Sequence, residues 1–200
     1  MVAGPDLNDL ENLFLAAAAI TVALTGFYGS LESSSIRNAS IAASAALLSR
    51  EVLQRAVARF IKTEVHTELS KTGTALTVAA GVFSYVTSTP VVFAVTVFSE
   101  FSNRRYESWG YSIDVPWVKR RYWMAWTGIA GMLLTAFAAH SLQAYTVSRS
   151  ISIIALFALL PMKENLLVEG ETDGARILIH SGFMWLLLTG LALLGAVSPL

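Results

Sequence analysis

Long apolar blocks separated by short polar stretches dominate the chain, and several have the length of a membrane-crossing helix. The first runs from Leu13 to Leu31 and is rich in alanine, with Gly26 and Gly29 near its end. Small residues let helix backbones approach closely in lipid, so this block is expected to pack on protein. Ser33-Ser34-Ser35 supplies the turn after it. A second helical stretch, about Ile36 to Ile61, has two characters. Ile41 to Leu48 is apolar and alanine-rich, whereas the later turns carry Arg50, Glu51, Arg55 and Arg59. At helical period Val52, Ala56, Arg59 and Phe60 share one side, and Arg50, Gln54 and Ala58 lie near another. Two readings follow: a helix emerging into a basic cytoplasmic interface with snorkelling arginines, or a polar site inside the bundle.

From Thr63 to Val78 the period changes. Val65, Thr67 and Leu69 alternate with Glu64, His66 and Glu68, Lys71-Thr72-Gly73 offers a turn, and alternation resumes over Thr74 to Val78. That pattern predicts a β-hairpin. Ala79 to Phe101 is apolar but interrupted at Thr87-Ser88-Thr89-Pro90, giving either one Pro-kinked span or two half-length segments meeting at Pro90. The stretch 102–121 holds Arg104, Arg105, Lys119, Arg120 and Arg121, flanked by Trp109, Tyr111, Trp117, Tyr122, Trp123 and Trp126, the signature of a cytoplasmic interface. Because Arg55, Arg59, Lys62 and Lys71 are basic too, a re-entrant pair broken at Pro90 is preferred, since it keeps both basic stretches inside. Tyr122 to Leu142 is the next span. Ser148 to Leu160 is a short apolar segment ended by Pro161, and Ile177 to Val197 is the last span. Between them lie Lys163, Glu164, Glu169, Glu171 and Asp173-Gly174. The expected fold is an all-α polytopic membrane protein with about four to six transmembrane segments, a small β-hairpin and a Pro-broken segment. Residues 1–200 form a single integral membrane domain of the cell membrane, with loop 102–121 cytoplasmic.

Composition agrees. The chain is 54% hydrophobic and only 14% charged, where a soluble domain usually carries about 25% charged residues. With 14 basic and 14 acidic residues it has no net charge to attract nucleic acid. The absence of cysteine excludes disulfides, thiolate metal sites and cysteine catalysis. Met1 to Glu11 lacks Lys and Arg and holds Asp6, Asp9 and Glu11, the opposite of a basic signal-peptide start, so the first block is expected to be a retained span.

Ionisable groups inside spans are costly and mark candidate sites. Arg50, Glu51, Asp173 and Arg176 qualify, and the simplest arrangement is intrabundle pairing, Arg50 or Arg55 with Asp173, or Glu51 with Arg176. Three segments sharpen this. Leu47-Leu48-Ser49-Arg50-Glu51-Val52-Leu53-Gln54-Arg55-Ala56-Val57-Ala58-Arg59 is followed by the expected hairpin and Thr89-Pro90. Leu159-Leu160-Pro161 and then Asp173-Gly174-Ala175-Arg176-Ile177-Leu178 come last. In this order, over about residues 45–180, they resemble the site-2 protease family of intramembrane zinc metalloproteases. Its members carry a His-Glu-x-x-His helix, a short β-element, a Gly-Pro-type break and a later Pro…Asp-Gly segment with the third zinc ligand. The resemblance implies Glu51 as general base and Asp173 as carboxylate ligand, if the chain is active. Both histidine positions, however, hold Arg50 and Gln54, and a guanidinium cannot ligate a cation. The interval from Pro161 to Asp173 is also longer than the family's usual arrangement. No zinc and no other cofactor is therefore expected. What the resemblance implies is a metal-free, non-catalytic pseudo-protease in which Arg50 pairs with Asp173 or Glu51.

The remaining polar residues add little. His66, His140 and His180 are scattered, and His66-Thr67-Glu68 reads either as a metal-binding pair or as a solvated strand face. Asn38-Ala39-Ser40 matches a glycosylation sequon by chance beside a span, and Ser49 has no histidine nearby to activate it. The function expected is binding of membrane partners by a degenerate site-2 protease, with lipid and other transmembrane subunits as the surroundings. Alternatives are an accessory subunit of a multi-subunit membrane complex, an active metalloprotease using Glu51, Asp173 and a distant histidine, and a transporter in which the Pro90 break and Arg50 and Glu51 line a midplane site.

Overall fold

The computed structural model describes residues 7–61, 63–102, 115–162 and 171–197. Among them are seven helices and two strands: α1 (Leu7–Phe27), α2 (Ser33–Ile61), β1 (Glu64–Leu69), α3 (Lys71–Thr87), β2 (Val97–Ser102), α4 (Val115–Ser141), α5 (Tyr145–Leu159), α6 (Asp173–His180) and α7 (Gly182–Val197). The protein is mostly helical. Two helical segments, Leu7–Phe27 and Lys119–Ser141, are long and apolar enough to cross a membrane, and α5 and α7 are shorter apolar helices.

Small residues set the packing. Ala16, Ala19 and Ala23 of α1 and Ala39, Ala42, Ala43 and Ala46 of α2 are buried, and α2 lies between α1 on one side and α4 and α5 on the other. α1 crosses α3 where Gly26 meets Gly81; a Cβ on Gly81 would come within 2.7 Å of the Ala23 Cα and the Val22 carbonyl oxygen. Only glycine permits that approach.

The strands depart from expectation. β1 forms where alternation predicts it, but Thr74 to Val78 belong to α3, and β1 pairs instead with β2, antiparallel, with Val65 opposite Phe101 and Thr67 opposite Ser99. The cause is local capping. Ser70 Oγ accepts the Gly73 N–H at 3.0 Å, so Lys71-Thr72-Gly73 opens a helix and does not reverse the chain. Thr77 then folds its hydroxyl back onto the Gly73 carbonyl at 2.8 Å, which a helix interior tolerates.

The apolar run 79–101 is likewise neither a kinked span nor two half-helices. α3 stops at Thr87, Ser88 takes the left-handed conformation at φ 54°, and the chain runs without helix past Pro90 into β2. Val91-Val92-Phe93 and Val95-Thr96-Val97-Phe98 are β-branched or aromatic at all but one position between 91 and 98, and such residues favour the extended state. Pro161 also follows a helix end, since α5 closes at Leu159 and Leu160 is extended. The expected last span is two helices, divided at Ser181, whose backbone is extended. Of the basic loop 102–121, Arg104, Arg105, Trp109 and Tyr111 lie outside the described residues, as do Lys163, Glu164 and Glu169.

Candidate functional site around Asp173

Asp173 opens α6, and the preceding residues fix it in place. Thr172 caps the helix, its hydroxyl accepting the Ala175 N–H and donating to the Leu160 carbonyl at 2.6 Å, so the end of α5 holds the start of α6. A carboxylate in the first turn also gains from the helix dipole. On α2, residues four apart share a face. Arg50 and Gln54 therefore point together at Asp173, and Glu51 and Arg55 form the adjacent row.

Three side-chain donors converge on Asp173. Arg50 Nε donates to Oδ2 at 2.7 Å and Gln54 Nε2 donates to the same oxygen at 3.1 Å, while Arg176 Nη1 reaches Oδ1 at 3.5 Å. The Asp173 side chain is 0% exposed and that of Arg50 4%. Gln54 Oε1 in turn accepts from the Ser99 hydroxyl of β2 at 2.7 Å. Arg176 also pairs with Glu171 at 3.3 Å and stacks 4.5 Å above the Phe101 ring, and Glu171 receives Arg121 at 2.7 Å. Gly128 of α4 makes room for the amide: a Cβ there would stand 2.5 Å from Gln54 Nε2.

The adjacent row forms a second cluster. Glu51 is bound by Arg55 Nε and by the Thr67 hydroxyl, the latter at 2.8 Å. Arg55 Nη2 donates to Asp9 Oδ2 at 2.6 Å, and Asp9 Oδ1 accepts the Thr67 N–H at 2.9 Å. Asn12 donates to the Thr67 carbonyl at 2.8 Å, so α1 side chains satisfy both backbone groups of one strand residue. Since Thr67 and Ser99 face each other in the sheet, one rung of the ladder holds both Glu51 and Gln54.

Of the pairings foreseen, Arg50 with Asp173 is present. Glu51 does not meet Arg176, and Arg55 does not meet Asp173: Glu51 takes its own-helix neighbour Arg55, and Arg176 turns to Asp173 and Glu171. Arg50, Glu51 and Gln54 lie inside the bundle, while Arg59 is exposed. Asp9, Asn12, Thr67 and Ser99 were not foreseen. Asp9 signals itself only as one of several N-terminal acids, and Thr67 and Ser99 only as inward positions in alternating stretches.

The donor chemistry does not fit a metal ion. Two guanidiniums and an amide N–H converge on the one carboxylate, and a cation needs lone pairs where these groups present hydrogens. Among the described residues no three His, Asp or Glu side chains converge to hold a metal. His140 and His180 instead contact the rings of Tyr145 and Tyr122. On the outer face of the sheet His66 stands opposite Glu100, and a shared hydrogen bond with Glu100, then desolvation and like-charge repulsion, push the Glu68 carboxyl upward. Comparison of the chain with protein-family models, with curated proteins and with solved structures finds no match.

Proposed function

We propose that the chain is a multi-pass protein of the cell membrane, built around a metal-free counterpart of a site-2 protease centre, that binds transmembrane partners without cutting them. The observation that carries this reading is the convergence of Arg50, Gln54 and Asp173. These are the positions at which the resembled family sets its two histidines and its carboxylate ligand. Here Arg50 supplies the positive charge opposite Asp173 at 2.7 Å. Both oxygens of Glu51, the counterpart of the general base, are held by Arg55 and Thr67.

The bilayer part of the reading is supported by an inverted polarity. Charged groups lie inside the bundle, whereas Phe14, Val86, Leu134, Phe137, Phe183 and Leu194 are exposed. Large outward apolar side chains in this number suit lipid better than water. Beside α1 and α4, the apolar half of α2 and the shorter α5 and α7 complete the spans, with loop 102–121 on the cytoplasmic side.

The test is native mass spectrometry of the chain extracted in mild detergent. The proposal predicts an intact transmembrane partner whose length and amount are the same with Glu51→Gln. A partner shortened by the wild type and intact with Glu51→Gln would contradict it. A second reading, accessory subunit of a larger membrane complex, is favoured by an apolar groove of about 610 Å³ between α4 and α7 lined by Leu133, Phe137, Leu187 and Leu191. In that case partners bind at fixed stoichiometry and are lost on Leu191→Trp, while Arg50 variants that still fold retain them.

A further inference from the structure

Two buried polar groups near Asp173 have no partner. Arg50 is 3% exposed and Thr96 2%, and among the described residues neither Arg50 Nη1 nor the Thr96 hydroxyl finds a hydrogen-bond partner. They sit on different elements, Arg50 on α2 and Thr96 on the segment leading into β2. Both line one small cavity of about 20 Å³, which Asp173 and Thr172 share and Met132 and Ile154 help to wall off. A buried donor left unpaired is costly, and buried groups of this kind find partners in water when room exists. A single water needs about 10–15 Å³ and at least two polar contacts, so this cavity has room for one and little space for a second.

Charge selects the ligand. The buried ionic groups of the Asp173 cluster balance: Arg50 and Arg176 against Asp173 and Glu171, with side chains 4%, 6%, 0% and 16% exposed, and the neighbouring Glu51, Asp9 and Arg55 add no positive excess. Arg121, 35% exposed on its side chain, keeps contact with its surroundings and does not add an uncompensated interior charge. A halide would fit by size but would leave the interior with excess negative charge beside the Asp173 carboxylate. A cation would face the Nη1 hydrogens, and an apolar guest would leave both groups unsatisfied. We infer that the cavity is a binding site for one neutral water molecule, accepting from Arg50 Nη1 and hydrogen-bonded to the Thr96 hydroxyl, which ties α2 to the segment before β2.

The assignment rests on the unpaired groups and the cavity, and stands whether or not the chain is related to proteases. Taken with the proposed function, it places a water on the Arg50 and Asp173 side of α2. Glu51 does not line this cavity, and its oxygens are engaged by Arg55 and Thr67. The water then lies away from Glu51, on the side where Asp173 is already engaged by Arg50 and Gln54.

The experiment is a structure of the full chain at a resolution that shows single waters, from protein prepared in bromide in place of chloride. The expected result is one spherical density within hydrogen-bonding distance of both Arg50 Nη1 and Thr96 Oγ1, without an anomalous bromide peak. A bromide peak would replace the water by an anion site. Empty density, or Nη1 donating to a protein carbonyl, would overturn the inference. Thr96→Val should lose the density and lower Tm, whereas Thr96→Ser keeps both. Equal occupancy in the valine variant would remove Thr96 from the site.

Discussion

Replacing Asp173 by asparagine should damage the fold more than replacing Arg50 by methionine. Asp173 is the only carboxylate paired with Arg50 among the described residues, and it also receives Gln54 and Arg176. At a charge separation of about 4 Å and an effective dielectric near 20, one such pair is worth about 4 kcal/mol of gross attraction. Much of that offsets the desolvation of both ions, so the observable quantity is the penalty of leaving a charge unpaired, about 3–5 kcal/mol. Asp173→Asn removes the counter-charge that Arg50 has among the described residues and one of the two that Arg176 has. Arg50→Met leaves Asp173 with Arg176 at 3.5 Å and Gln54 at 3.1 Å, so its cost should fall at or below the low end of that range. For a chain of this size a loss of 3–5 kcal/mol corresponds to roughly 6–20 °C in Tm. The double variant Arg50→Met/Asp173→Leu removes both charges and should recover most of the loss of Asp173→Asn, since apolar replacement of a buried pair is often close to neutral. Thermal unfolding in detergent of the wild type, Arg50→Met, Asp173→Asn, Asp173→Leu and the double variant gives the comparison, with Arg50→Met and Asp173→Leu as the singles of the cycle. An Asp173→Asn cost no larger than that of Arg50→Met, or a double variant as unstable as the sum of the singles, would refute the reasoning.

Gly128→Ala should displace the Gln54 amide from Asp173 and cost about 1–3 kcal/mol by overpacking; adding Gln54→Ala relieves the clash, so a cycle of melting curves should be non-additive. Thr67→Val deletes the hydroxyl donated to Glu51 and should cost about 1–3 kcal/mol, because the buried carboxylate loses one of its two partners; an unchanged Tm would contradict the assigned bond. The Glu68 carboxyl is raised above the ordinary glutamate range by its hydrogen bond with Glu100 and by desolvation, with His66 acting in the opposite sense. A raised acid contributes stability that is full below the unfolded pKa and is lost as pH rises through the folded one. Acidification should therefore stabilise the wild type relative to Glu68→Gln, and melts showing the reverse would contradict the sign.

The first two helices, the one over Tyr122 to Ser141 and the buried charges are legible from apolar runs and from the rarity of ions within them; the helix Lys71–Thr87 and the division of the last span at Ser181 are not. The strand partner is not. Alternation at Val65, Thr67 and Leu69 marks β1, but its mate lies beyond α3, and only the Ser70 cap decides that Thr74 to Val78 coil up instead of pairing. The run up to Phe101 misleads in the same way, because apolar length alone does not separate helix from extended chain; its β-branched and aromatic residues do. At the site, Arg50, Gln54 and Asp173 are recoverable from spacing on α2 and an Asp-Gly at a helix start. Asp9 is not, since its roles at Arg55 and Thr67 depend on how α1 docks against β1.

The central claim is that a guanidinium stands where the resembled family holds a metal, and zinc content tests it most directly. The wild-type chain and the variant Arg50→His/Gln54→His are purified in parallel, equilibrated with zinc, desalted and measured by elemental analysis. The account predicts no stoichiometric zinc in the wild type. It predicts about one zinc per chain in the variant, whose two imidazoles and Asp173 make a three-ligand set. Stoichiometric zinc in the wild type, or a folded variant that holds none, would contradict it.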